Sequence, residues 1–190
     1  MINDAQCLQE AFQRAQSYND YVNGGTPEQQ QRWSAMAELV SLTNTQRELI
    51  GSFVREMKVL VISGLWCGDC VEQCPLLAAI AQASDKINLR FLDRDAVEAL
   101  RDAVPLCGGN RVPVALFLAE DYQFCGMYGD RTLTRYRRLA EKQLGAACST
   151  GLFAPATDEI AATCQNWVDE FERIHLMLRL STRLRAKYQD

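Results

Sequence analysis

At 190 residues, with 48% hydrophobic and 23% charged side chains, the chain has the composition of an ordinary globular protein, long enough for one well-buried domain with helical additions. Its formal net charge of −4 excludes a domain-wide attraction to nucleic acid or to an anionic membrane. No apolar run approaches the roughly 18–20 residues that span a bilayer, and Met1–Cys7 has neither a basic start nor an apolar core, so the expected home is the cytoplasm.

In chain order, Ala5, Leu8, Ala11, Phe12 and Ala15 recur at helical spacing and predict a helix over residues 3–18, broken by Asn23-Gly24-Gly25. Thr26-Pro27-Glu28-Gln29 and Thr43…Gln46 read as capping boxes. They open two further helices, one burying Trp33, Met36, Ala37 and Val40, the other Leu49, Ile50, Phe53, Val54 and Met57. The β-branched run 58–62 reads as a buried strand, and a helix over 68–83 follows with Leu76, Leu77, Ile80 and Ala81 inward. Pro75 lies inside that helix, where it removes a backbone bond and kinks the axis. Ile87–Asp93 alternates as a second strand, and a short helix around Val97, Leu100 and Val104 comes next. Arg111–Leu118 predicts a third strand opened by Pro113, and Tyr122–Tyr128 an antiparallel return. Leu133, Tyr136, Leu139, Ala140 and Leu144 then line one side of a helix, Gly151–Pro155 is a linker, and Thr157-Asp158-Glu159 caps a long helix carrying Ile160, Cys164, Trp167, Phe171, Ile174, Leu178 and Leu184. A βαβ unit joined to a ββα unit gives an α/β fold: a mixed four-stranded sheet with helices on both faces. The expected organisation is an N-terminal helical extension over 1–57, a core domain over 58–148 and a C-terminal helix over 155–188.

Chemistry concentrates where the first strand hands over to a helix, at Trp66-Cys67-Gly68-Asp69-Cys70. Helix N-terminal amides there favour a thiolate at Cys67, the attacking species, while Cys70, one turn in, resolves a mixed disulfide. The reaction class is thiol–disulfide exchange, with the Cys67–Cys70 disulfide in place of any external cofactor. The other cysteines among the eight, Cys7, Cys148 and Cys164 in particular, are scattered and read as buried free thiols rather than a disulfide framework. Cys74, one turn past Cys70, is a candidate third thiol.

From about residue 58 to 147 the chain resembles a thioredoxin-family domain: the Trp-Cys-Gly-Asp-Cys signature, Pro75 five residues after the second cysteine, and Val112-Pro113 opening the third strand. With Leu92-Asp93-Arg94-Asp95 and Gly129-Asp130-Arg131 it is similar to a bacterial thioredoxin-like subgroup with extra N-terminal helices. The resemblance implies a cis-proline at Pro113, a backbone role toward substrate for Val112, and a substrate-facing Trp66. It also implies a disulfide-containing protein or small-thiol substrate, and a cellular reductant such as thioredoxin reductase or glutathione. The usual Gly-Pro between the cysteines is Gly68-Asp69 here, and the family's buried acid falls at Val61. Asp69 beside the sulfurs should disfavour the thiolate, so the Cys67 pKa is expected to be lowered less than in a typical thioredoxin.

Two rival readings stand beside this one. Cys67, Cys70 and Cys74, completed by Cys107 or Cys125, would supply four sulfurs to zinc or an iron–sulfur cluster. Against this stand the lack of a second close cysteine pair and a single, distant His175. Alternatively the domain is an interaction scaffold. Its C-terminal stripe of Trp167, Phe171 and Ile174 could then form a homodimer seam, although such a stripe more often packs on its own domain; Arg135, Arg137, Arg138 and Lys142 make a local basic face, ordinarily a solvated one.

Overall fold

The computed structural model describes residue 2, residues 4–144 and residues 158–189. Four strands form one sheet in the order β2-β1-β3-β4: β1 (Met57–Ser63), β2 (Ile87–Asp93), β3 (Val114–Leu118) and β4 (Phe124–Gly129). β2 runs parallel to β1, with Val61 opposite Phe91 and Ser63 opposite Asp93; β3 is antiparallel to β1 and β4 to β3. Every residue of β1 is buried, as befits a central strand whose middle, Val59 to Ile62, is β-branched or aliphatic. Helix α5 (Gly68–Gln82) makes the crossover between β1 and β2 and includes Pro75.

Register decides what each face carries. Val59 pairs with Phe117 and Val61 with Ala115, so these side chains and Ser63 share one face. The Phe117 ring meets Phe171 at 5.2 Å, and Tyr128 meets Trp167 at 4.9 Å, which lays α8 (Glu159–Leu180) against that face. Leu60, Ile62, Leu116 and Leu118 on the opposite face are equally buried, so helices and loops cover both sides.

The helices before the sheet depart from simple periodicity. The expected helix over 3–18 is two: α1 (Ala5–Arg14) and α2 (Tyr18–Asn23), divided by Gln16. Gln16 exchanges both backbone hydrogen bonds with Phe91, at 2.9 and 2.8 Å, and so covers the outer edge of β2. Ser17 restarts the helix by accepting from the Asp20 N–H. Both capping boxes are formed, at Thr26/Gln29 for α3 (Pro27–Glu38) and Thr43/Gln46 for α4 (Asn44–Gly51). Of the inward set expected on α3 only Trp33 is fully buried, and Ala37 is exposed. α4 stops at Gly51, so Val54 points outward and Met57 belongs to β1.

Later elements show similar adjustments. A 3-10 turn (Arg94–Ala96) precedes α6 (Glu98–Asp102). β3 begins only at Val114, after Pro113, and the tight turn into β4 places Tyr122 at φ +62°. α7 (Leu133–Leu144) buries no side chain fully, and Leu133, Tyr136 and Leu144 on its expected apolar side are exposed. The final helix divides at Ser181, which caps α9 (Thr182–Tyr188) through the Leu184 N–H. Trp167, Phe171 and Ile174 are wholly buried within their own chain, so that stripe is not available as a dimer seam. The linker over 151–155 and Cys148 lie outside the described residues. No described helix is long and apolar enough to cross a membrane.

Candidate functional site

The loop leaving β1 is held from two sides. Trp33 donates its indole N–H to the Leu65 carbonyl at 3.1 Å. The Trp66 ring lies on Gly64, where an added Cβ would sit 2.8 Å from its Cε2, so glycine is what permits the approach. Arg94 stacks its guanidinium 4.6 Å from the centre of the Trp66 ring, which stays half-exposed. Cys67 follows as the N-cap residue of α5, with extended backbone and no side-chain cap of its own. Its thiol is half-buried, while Cys70 and Cys74 are fully buried. A Cβ at Gly68 would meet nothing within 4 Å, so that position is open on the surface.

The Val112–Pro113 peptide is cis, as the resemblance implied, and Cys67 Sγ donates to the Val112 carbonyl at 3.6 Å. A second cis peptide, Gly129–Asp130, abuts it. Gly129 has φ +153°, and a Cβ there would lie 2.2 Å from the Pro113 carbonyl oxygen, so only glycine lets β4 end against this loop.

Sequence reasoning missed the group that surrounds Asp69. Arg131 grips that carboxylate with two bonds, Nε to Oδ1 at 3.0 Å and Nη2 to Oδ2 at 2.5 Å, and Arg135 adds a third at 2.9 Å. Arg131 also donates to Asp130 Oδ2 at 2.9 Å, Arg111 approaches the same oxygen at 3.5 Å, and the Tyr136 hydroxyl donates to Asp130 Oδ1. Buried Gln73 completes the tie, donating to the Asp130 carbonyl at 2.8 Å. Asp69 is therefore a clamped counter-ion rather than a free base beside the sulfurs. Arg135, expected on a solvated basic face, is mostly buried and pairs with Glu72 and Glu159 as well. The Gly-Asp-Arg run after β4 was visible in the sequence, but nothing local says that it folds back onto the start of α5.

Charge balance at the two thiols differs from the simple helix-terminus expectation. The adjacent Cys70 thiol and burial push the Cys67 pKa above its ordinary value, while the Cys70 and Asp69 amides at the start of α5 oppose them. Burial likewise pushes Cys70 upward. The expectation of a lowered Cys67 is thus corrected to a raised one, because desolvation and a neighbouring thiol outweigh the helix amides.

The remaining candidates fall elsewhere. Cys7, expected to be buried, is exposed; Cys164 is buried; Cys107 is exposed, and Cys125 is half-buried beside the Gln123 carbonyl. Among the described residues no group of three or more His, Cys, Asp and Glu side chains is placed to hold a metal ion. His175 accepts the Val54 N–H at 3.1 Å and stacks on Phe53, a structural role. Burial lowers its pKa, which suits the neutral acceptor form.

A family model described as Thioredoxin matches residues 15–139, a span that begins well before β1 and takes in α2, α3 and α4. Among solved structures, a Pseudomonas aeruginosa protein of unknown function aligns with TM-score 0.68 and 17% identity, over 87% of this chain and 95% of that one. An HIV epitope-scaffold aligns with TM-score 0.59 and 19% identity, over 90% of this chain and 93% of that one. Curated proteins return no match. The two structures speak to the fold alone.

Proposed function

The chain belongs to the thioredoxin family, and on that premise we propose that it is a thiol–disulfide oxidoreductase in which Cys67 attacks and Cys70 resolves. The observation that carries the reading is the convergence on one sulfur: Cys67 at the start of α5, buried Cys70 one turn further, and the Val112 carbonyl 3.6 Å from Cys67 Sγ. The Cys67 thiolate attacks one sulfur of a substrate disulfide, whose other sulfur departs and takes a proton. Cys70 then attacks Cys67, releasing the second substrate thiol and leaving the Cys67–Cys70 disulfide, so two electrons pass from the dithiol to the substrate. Trp66, Val112 and Pro113 are the proposed substrate contacts, Val112 carrying the carbonyl to which Cys67 donates. A disulfide-bearing protein or a small disulfide is the substrate class. A cellular thiol reductant, thioredoxin reductase or glutathione, restores the dithiol, and the reducing cytoplasm is the compartment that suits such a cycle.

One observation favours a second reading, a thioredoxin-fold scaffold with little redox activity: the upward push on Cys67 reduces the thiolate available near neutral pH. Reduction of insulin disulfides separates the two. The exchange reading expects turnover by the wild type and none by Cys67→Ser; no turnover by either protein favours the scaffold.

A further inference from the structure

Guanidinium groups from four places in the chain gather around the start of α5, and they are not equally engaged. Arg131 and Arg135 are committed to Asp69, and Arg131 also takes Asp130 Oδ2 at 2.9 Å. Arg94, on the turn after β2, lies over Trp66 and gives Nε and Nη2 to Asp95 at 2.9 and 3.3 Å. Its Nη1 donates to the Asn110 carbonyl at 3.4 Å. Arg111, the residue after Asn110, uses far less of its fork. Among the described residues its one ion-pair contact is Asp130 Oδ2, at 3.5 Å. That oxygen already accepts from Arg131, and the Tyr136 hydroxyl takes Oδ1. Asp130 is buried, whereas the Arg111 side chain is 41% exposed.

The charges point the same way. Arg111, Arg131 and Arg135 face Asp69 and Asp130 beside Cys67, so cations outnumber carboxylates there. Glu72 and Glu159 pair with Arg135, and Arg138 joins Glu159, which leaves Arg111 with no carboxylate of its own. Its backbone is nevertheless fixed. Arg94 holds the Asn110 carbonyl, and the Asn110 side chain donates to Asp102 at 2.9 Å. The next residue is Val112, whose carbonyl stands 3.6 Å from Cys67 Sγ. A disulfide attacked by Cys67 must come up beside that carbonyl, one residue from Arg111.

We propose that Arg111 is a specificity-determining residue of the exchange reaction, its guanidinium receiving a carboxylate that flanks the substrate disulfide. The favoured substrates are then protein cystines next to an aspartate or glutamate. The inference rests on the exchange reading above and adds no proton or electron transfer to it. A planar fork with donors to spare suits a carboxylate, and an exposed cation on the approach steers opposite charge inward.

The test uses two pairs of reagents that differ in charge and little else, on the reduced full-length protein. The first pair is the disulfides of acetyl-Cys-Glu-amide and acetyl-Cys-Gln-amide, with the rate taken as the part lost in Cys67→Ser. The second is iodoacetate and iodoacetamide, with alkylation followed at the Cys67 peptide by mass spectrometry. Wild type should prefer the glutamate disulfide roughly two- to fivefold at low salt, the range of an exposed ion pair, and lose the preference near about 1 M salt. Arg111→Gln should bring that ratio to about one and lower the iodoacetate-to-iodoacetamide ratio roughly two- to fivefold. Arg111→Lys should keep part of both effects, and Arg111→Glu should reverse the peptide preference. Structural damage alone moves both members of a pair alike and leaves the ratio. Lys86→Gln removes the same charge at the far end of β1, where the Lys86 carbonyl meets the Met57 N–H, and should change neither ratio. No preference in wild type, an unchanged peptide ratio in Arg111→Gln, or an equal change in Lys86→Gln overturns the proposal. A wild type that reacts with neither peptide sinks the exchange reading instead, and the alkylation pair then decides whether Arg111 draws a carboxylate to Cys67.

Discussion

At Cys67 two opposing local effects meet, and their sum sets the chemistry. The helix-start amides stabilise a thiolate, whereas the buried Cys70 beside it and the loss of solvent destabilise one; the second pair is larger. Asp69 would add a third penalty if it stood alone, but Arg131 and Arg135 neutralise it. Replacing Arg131 by alanine leaves that carboxylate with only Arg135, so the Cys67 alkylation rate at pH 7 should fall roughly two- to fivefold. A rate equal to wild type would show that Asp69 does not reach the thiol electrostatically. The raised Cys67 also fixes the pH response: below its pKa the thiolate fraction climbs about tenfold per pH unit, so alkylation should still be rising beyond pH 9, above the ordinary thiol value of about 8.5. A plateau below pH 8 would contradict the upward shift. Stability should run the other way. The unfolded thiol loses its proton first, so stability is fully present below about pH 8.5 and declines as pH rises above it.

Between elements, the decisive contacts are those that bring β4 and α7 back to the start of α5. Gly129 is the tightest of them, since any Cβ there would strike the Pro113 backbone oxygen, which cannot move aside as a flexible side chain can. Gly129→Ala should therefore lower stability by about 3 kcal/mol or more, read as a fall in the urea midpoint, and should also displace Asp130 and Arg131 from Asp69. A midpoint within error of wild type would mean that this end of β4 is free to shift. The break at Gln16 teaches a related lesson. A helical pattern is interrupted where the backbone of one residue is worth more as a strand partner to Phe91, whose edge would otherwise stay unpaired.

For the whole molecule, the N-terminal helices are part of the fold rather than an accessory to it. The family match begins at residue 15; Trp33 and Tyr21 bury their rings among Tyr18 and Phe91; and Trp33 pins the loop ahead of Cys67. A chain beginning at residue 52 should lose cooperative thermal unfolding by circular dichroism, because Phe91 and the sheet face beneath α2 would open to water. A sharp transition in that fragment would return the helices to the status of an appendage. The central strands were legible in the sequence since β3 and the Val59–Ile62 stretch of β1 are continuous apolar runs, and β2 needed no correction because its bounds coincide with its alternation. Helix ends were less legible. Capping boxes revealed two starts, but the stops at Gly51 and Ser181 depend on what packs against the next turn.

What the sequence by itself determined is the pair Cys67 and Cys70 at a strand-to-helix junction, Pro75 within the helix, Val112-Pro113 ahead of the third strand, and through their spacing the family. These are local, because periodicity, proline and a motif four residues long act over one or two turns of chain. Only the tertiary structure decided which charges meet Asp69, and that the Trp167–Phe171–Ile174 stripe is core rather than interface. The physical reason is distance along the chain. Arg131 is 62 residues from Asp69, and contacts of that range are set by sheet register and helix packing, which no local pattern of side chains encodes.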